Sequence, residues 1–430
     1  MKRLSCNTVA AWDEKQRQWV VYQFQTGRMF QFGEEIKRRY DTIAEHPEDE
    51  LFRLLTEAGM LIDGDAEEAC SLPDKPDEYV LHLAAHRRAE AECRQKVREN
   101  AQRLLEMGRD GRTYAPVYSS LEGRLYRAYL NLTFRCPLCC PFCSVDAGNS
   151  DLPELSVEKF IHITEEICTA GFPSVAVTGG EPLVYEGFWD YARRLLSINR
   201  RGAQFILRTT LSFPQREEEL ALLCKAFDLI VVSIDGDEKT HDGNRGKGRY
   251  AQTLANLESA IAMGGRFGIQ SVLTREQFQG APGISVRALA NRLGIQQLKI
   301  MAPLPLGRGA CMPFKEQYLW IKEDRTTYSS PLFGCGLGTI LCISPDGSVY
   351  PCYTMKDEKH LLGDLTRQSL HEIMENGALL KYLNRTVDTD PMCRNCDVRY
   401  LCSGMCRSSP LRGKLCEQIR RRALAFVEAK

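Results

Sequence analysis

The sequence predicts an α/β protein built around parallel strands with crossover helices, flanked by a small mixed unit and a cysteine-rich carboxyl segment. From Leu125 to about Arg308, short apolar strand-type segments alternate with longer helix-type stretches in six βα units. Such alternation requires parallel strands joined by helices. Residues 1–72 hold two β-prone runs followed by two helical patterns. The last third gathers cysteines in short-spaced runs, as metal ligands do.

In chain order, Gln18–Phe24 and Arg28–Phe32 are β-prone, and Gln25-Thr26-Gly27 suits a hairpin turn between them. Helical patterns follow over Glu34–Glu45 and Glu48–Ala58, Gly59 suits a helix C-cap, and Met60–Ile62 is extended. Residues 73–80, with two prolines and several acids, suit a linker, and Leu81–Met107 a long charged helix with a solvated face. The strand candidates of the central part are Tyr129–Phe134, Ser174–Thr178, Gln204–Thr209, Asp228–Ile234, Gly268–Leu273 and Gln297–Pro303. Ser156–Ala170 and Phe188–Asn199 are examples of the intervening helices. The expected organisation is 1–72, a linker and bridging helix over 73–124, the βα region over 125–310, and the cysteine-rich part over 311–430.

With 430 residues the chain can form two or three domains. Net charge is zero, so no electrostatic footprint for nucleic acid or an acidic membrane is present. No apolar run reaches a membrane span, and the amino terminus lacks the apolar stretch of a secretion signal. Eighteen cysteines without an export signal point away from a disulfide framework and toward a reducing cytoplasm.

Cys136, Cys140 and Cys143 form a Cys-x3-Cys-x2-Cys run directly after the first strand candidate. Three thiolates so spaced can hold three irons of a [4Fe–4S] cube and leave the fourth open. The second strand candidate runs into Gly179-Gly180-Glu181-Pro182, and the fourth ends in Ser233-Ile-Asp235. In parallel barrels reactive groups collect at such strand ends. The run and the Gly-Gly-Glu-Pro segment together resemble the radical S-adenosylmethionine (SAM) enzymes. The resemblance implies a partial (β/α)6 barrel in which SAM chelates the open iron and is reductively cleaved to a 5′-deoxyadenosyl radical. It places Phe142 near the adenine and Gly179, Gly180, Glu181 and Pro182 at the methionine amine. It also places Ser233 and Asp235 near the ribose and pairs Arg245 with the SAM carboxylate. The third strand ends in Arg208-Thr-Thr-Leu211, where many relatives have Thr-Asn-Gly, a departure from the family's ribose-binding pattern. Cys139 falls off the pattern.

A second resemblance covers the carboxyl end. Cys335, Gly347 and Cys352, then Cys393, Cys396, Cys402, Cys406 and Cys416, are similar to the seven-cysteine SPASM domain, which holds two auxiliary Fe–S clusters in enzymes that modify peptides and proteins. By resemblance the nearer cluster takes Cys335, Cys352 and Cys406, with Cys342 or an open position, and the outer one Cys393, Cys396, Cys402 and Cys416. Three [4Fe–4S] clusters with one iron given to SAM need eleven protein ligands, and Cys342 would be the eleventh; it could equally pack as a small apolar side chain. Structural zinc, which uses similar spacings, is the rival occupant of the distal cysteines.

The amino-terminal hairpin and helices resemble a winged-helix peptide-recognition element, which adds a leader peptide to its sheet edge. The expected function is therefore a peptide maturase acting on a precursor peptide with a leader. It would install a Cys thioether first, or a carbon–carbon crosslink, with flavodoxin or ferredoxin as electron donor. Two alternatives are a mycofactocin- or quinone-type peptide enzyme and a sulfatase maturase. Sulfatase maturases carry an Asp base after the second cysteine of the nearer auxiliary cluster, where this chain has Tyr353.

Overall fold

A computed structural model describes residues 2–23, 28–66, 72, 75–148, 150–312, 336–404, 406–408 and 412–428. Cys335 and the turn Gln25-Thr26-Gly27 lie outside the described residues. The chain divides into two compact units, Met1–Glu99 and Asn100–Lys430.

In the first unit, strands β1 (Lys2–Leu4), β2 (Thr8–Asp13), β3 (Gln18–Gln23) and β4 (Met29–Phe32) precede helices α1 (Glu34–Thr42) and α2 (Glu50–Glu57) and strand β5 (Leu61–Asp63). Strands β2, β3 and β4 form an antiparallel sheet with β3 central, and β1 pairs with β5. Strands β1 and β2 were not anticipated; in β2, Ala10 and Ala11 dilute the β-branched signal of Thr8–Asp13. Val21, Phe32, Tyr40, Ile43, Leu55 and Met60 make one core. On the other face Val9, Val20 and Tyr22 meet Val80 and Ala84 of helix α3 (Pro76–Arg109). This helix starts five residues before the expected Leu81, with Pro76 at the first helical position, where a missing N–H costs nothing.

The second unit is built on one nine-stranded sheet. Six parallel strands carry it: β6 (Arg127–Thr133), β7 (Ser174–Gly179), β8 (Gln204–Thr209), β9 (Leu229–Ser233), β10 (Phe267–Val272) and β11 (Gln297–Met301). The crossovers are α4 (Val157–Thr169), α5 (Phe188–Leu195), α6 (Glu217–Ala226), α7 (Glu238–Arg245), α8 (Arg249–Ala262), α9 (Arg275–Gln279) and α10 (Ala281–Arg292). Each strand lies within two residues of its expected bounds, because strands covered on both faces read as near-continuous apolar runs. Phe160, Ile163, Phe188, Tyr191, Phe205 and Leu257 pack the helices onto the sheet.

Strand β12 (Ile340–Ile343), from the cysteine-rich segment, adds a seventh parallel strand beside β6, and β13 (Ser348–Tyr350) and β14 (Gly363–Asp364) continue the sheet antiparallel. Four residues give no readable periodicity, so β12 was not expected. Among the described residues no helix is long and apolar enough to cross a membrane.

Candidate active site

The carboxyl ends of the six barrel strands surround a cavity of about 360 Å³. Cys136, Cys140, Cys143, Phe142, Gly179, Gly180, Ser233 and Arg245 all line it. Burial raises the thiol of Cys136 to about 12, and raises that of Cys140 as well. Cys139 is exposed.

Close backbone approach holds the cluster loop against strand β7. A Cβ on Gly179 would stand 2.1 Å from the Thr133 carbonyl oxygen, and one on Gly180 2.3 Å from that of Arg135, so only glycine fits either place. Gly180 N–H donates to Thr133 at 2.8 Å and Glu181 N–H to Arg135 at 3.1 Å. The Gly180 carbonyl receives no hydrogen bond from the described residues. From the far end of the barrel, Arg308 N–H donates to the Cys143 carbonyl at 3.0 Å. The Arg308 guanidinium donates to the carbonyls of Cys140 (3.0 Å) and Ala147 (2.6 Å) and pairs with Asp146 at 2.8 Å. A Cβ on Gly307 would meet the Cys143 carbonyl oxygen at 2.4 Å. Sequence reasoning missed this clamp; its only trace is the pair of glycines flanking Arg308.

Glu181, Pro182 and Asp235 stand behind the cavity wall and do not line it. Pro182 opens a short 3₁₀ turn. The fully buried Glu181 carboxylate accepts from Thr209 Oγ1 (2.6 Å), Thr210 N (2.7 Å), Thr210 Oγ1 (2.7 Å) and Leu183 N (3.2 Å). Burial raises its pKa, with these bonds opposing. The unusual Thr209-Thr210 ending of β8 thus anchors the Gly-Gly-Glu-Pro turn. Asp235 is fully buried and grips Arg245 with both oxygens, at 2.7 and 3.2 Å. Burial pulls the Arg245 pKa down, but the Asp235 carboxylate outweighs it, so the guanidinium stays charged. It lies 5.6 Å from the Phe142 ring centroid, within cation–π range.

The distal cysteines fall into two groups. Cys342, fully buried on β12, is the register partner of the cavity-lining Tyr129 and accepts from Asn131 Nδ2 at 3.3 Å. Cys352 and Cys406 are tied through Thr354 and Ser408, by contacts of 3.3, 2.7 and 3.1 Å. Cys342 lies within electrostatic reach of Cys352. In the other group Cys402 lies in electrostatic reach of Cys393 and Cys396, and Cys416 in reach of Cys396. Arg412 donates to Cys393 Sγ at 3.4 Å and pairs with the buried Asp390 at 2.7 Å. Among the described residues no three or more metal-ligating side chains converge as on a single ion.

These features fit Fe–S clusters and SAM. The glycine cradle brings the backbone to the cavity wall, and the Gly180 carbonyl is an unused acceptor for an amine. Beside Cys342, the buried Lys356 ammonium has no hydrogen-bond acceptor at good geometry and lies 4.4 and 4.6 Å from the Phe134 and Tyr353 ring centroids. A buried cation in that position suits an anionic thiolate–iron cluster.

Residues 130–277 match the radical SAM superfamily, and residues 335–397 match SPASM, an iron–sulfur cluster-binding domain. The chain is 28% identical over 313 residues to mycofactocin maturase MftC of Mycolicibacterium smegmatis, across 65% of this chain and 77% of that protein. It is 26% identical over 324 residues to the AdoMet-dependent heme synthase of Methanosarcina barkeri, across 64% and 89%. In fold it is similar to Streptococcus suis SuiB in a crystal structure bound to precursor peptide SuiA, with a TM-score of 0.54, 14% identity, and coverage of 95% of this chain and 96% of that one. The two domains imply [4Fe–4S] chemistry and SAM binding. The chain carries a radical SAM domain, followed by a SPASM iron–sulfur cluster-binding domain.

Proposed function

We propose that this protein is a radical SAM maturase that modifies a precursor peptide and installs a crosslink, a Cys thioether in the first place and a carbon–carbon bond in the second. The observation that carries this is the lining of the cavity, which joins the three thiols, Phe142, Gly180, Ser233 and Arg245 to Tyr129, Arg208, Gln270 and Lys299. The first set suits a cofactor and the second a substrate.

When bound and reduced, the cluster and SAM supply a radical that abstracts hydrogen. Arg245, aimed by Asp235, binds the SAM carboxylate, and the Gly180 carbonyl accepts from the amine. Phe142 packs the adenine and Ser233 meets the ribose. Glu181 fixes the turn that presents these groups. Cys335, Cys342, Cys352 and Cys406 hold a second cluster, with Lys356 beside it, and Cys393, Cys396, Cys402 and Cys416 a third, fed by an external flavodoxin- or ferredoxin-like donor. The leader adds a strand to the antiparallel sheet of the first unit, in which β2 and β4 are the edges.

A mycofactocin-type peptide reaction is the second reading, supported by the similarity to MftC. The sulfatase-maturase alternative lacks support at its base position, where Tyr353 carries a phenol that burial raises.

Anaerobic protein treated with dithionite and SAM should form 5′-deoxyadenosine, and its absence would overturn the enzyme assignment. Deleting residues 1–72 should weaken affinity for the precursor peptide by about tenfold or more, with SAM cleavage retained. Unchanged peptide affinity would remove the leader-docking role.

A further inference from the structure

The cavity is strongly cationic. Arg208, Arg245, Lys299 and Arg308 line it, and no Asp or Glu does so among the described residues. Arg245 pairs with Asp235, and Arg308 with Asp146 and the Cys136–Cys143 loop.

Arg208 differs. It stands on the interior strand β8 and is only partly exposed. Its partners are neutral: it donates to Gln270 Oε1, and its guanidinium carbon lies 6.0 Å from the Tyr129 ring centroid. Among the described residues no carboxylate pairs with it. A half-buried guanidinium without a counter-charge is costly, and an anionic ligand offsets that cost. Gln270 is the register partner of Lys299 on the next strand, and both side chains line the cavity. A planar guanidinium fork, a rotatable amide and an ammonium on neighbouring strands form a donor set for a carboxylate. In the reading above the SAM carboxylate already has Arg245 as its partner. Arg208 is the register partner of Val231, two residues or about 7 Å before Ser233 on β9, while Gln270 and Lys299 stand level with Ser233, so the set reaches from that level deeper into the barrel.

We propose that Arg208, Gln270 and Lys299 form a receptor for a substrate carboxylate, holding an acidic group of the peptide in the barrel cavity. The proposal rests on the peptide reading of this site. The carboxylate is either an acidic side chain or the peptide's carboxyl terminus.

The test uses reconstituted holoenzyme with SAM and competition by saturation-transfer NMR. The peptide probes are acetyl-Ala-Glu-Ala-amide, acetyl-Ala-Gln-Ala as the free acid, and acetyl-Ala-Gln-Ala-amide; benzoate and benzamide are the non-peptide pair. At least one acid-bearing peptide should bind about tenfold more tightly than the neutral one, and which of the two does so identifies the source of the carboxylate. Arg208→Gln should abolish the preference, Arg208→Lys should keep part of it, and Lys299→Met, at an exposed position, should reduce it. Iron content reports whether each variant has folded. If Arg208→Gln does not fold, a preference left untouched by Lys299→Met overturns the receptor. Equal binding of acid and neutral peptides, or an undiminished preference in folded Arg208→Gln, also overturns it. If benzoate is preferred through Arg208 while no peptide binds, the receptor stands and the peptide reading falls. If no probe binds, the receptor is wrong.

Discussion

Arg245 can meet an anionic ligand in the cavity because Asp235 holds it from behind. The Asp235 carboxylate also accepts from Val272 N–H at 2.9 Å, so one buried group fixes the arginine and the end of β10. Breaking a buried pair by removing one partner's charge costs about 3–5 kcal/mol. Asp235→Asn should therefore lower the melting temperature and weaken SAM binding by about tenfold or more, seen by equilibrium dialysis. Unchanged SAM affinity would show that Arg245 does not hold the methionine carboxylate. His241 completes this shell. Its Nδ1 accepts the Asp235 N–H at 3.2 Å, which puts its proton on Nε2 in the neutral ring. Burial, with Arg245 adding to it, lowers its pKa to about 4. The unfolded chain therefore binds a proton at this site that the folded chain does not, between the ordinary value near 6.5 and about 4. Stability should fall as pH drops through that window, and His241→Asn should flatten the slope in denaturant titrations. An equal slope in the variant would place the effect on other groups.

At the scale of elements, the end of α3 is locked onto the outer cysteine loop. Arg399 is buried and donates to the carbonyls of Gly108 (2.6 Å) and Arg112 (2.8 Å) and to Asp388 (2.9 Å). A Cβ on Gly108 would stand 1.8 Å from the Asp397 carbonyl oxygen. Gly108→Ala must push the helix off the turn that carries Cys393, Cys396 and Cys402. The expected result is loss of about four irons per chain, one cluster's worth, with the other iron retained. Full iron content would show that the loop can move without losing its ligands. Gly108 could not be singled out in the sequence, where it is one small residue at the end of a charged helix. The same physics separates the legible from the illegible elsewhere. The six barrel strands were readable because burial on both faces leaves its mark in the local sequence, and the cysteine run because its spacing is itself the chemistry. The Arg308 clamp, the Thr209-Thr210 grip on Glu181 and the Thr354–Ser408 tie between Cys352 and Cys406 were not. Each joins residues whose proximity only the folded chain creates.

Across the molecule, the cysteine-rich segment is part of the barrel's own architecture. Strand β12 covers the edge of β6, and β13 and β14 extend the same sheet. Leu341, Ile343, Val349, Leu362, Leu365, Leu370, Ile373 and Leu379 belong to the same core as the barrel helices. At about 1.5–3 kcal/mol for each fully buried side chain, their removal forfeits on the order of 12–24 kcal/mol. That matches or exceeds the net stability of about 5–15 kcal/mol typical of a domain. It would also bare a long apolar strand edge, which invites aggregation. A chain ending at Met312 keeps Cys136, Cys140, Cys143 and the Gly-Gly-Glu-Pro turn, so a self-sufficient barrel would still bind its cluster and SAM. The expectation is the opposite: this truncation should be insoluble, or soluble without a cooperative melt, and should not retain the first cluster after anaerobic reconstitution. A soluble, cooperatively melting fragment with about four irons would show that the barrel stands alone and that β12 serves only to bring Cys342 beside Tyr129.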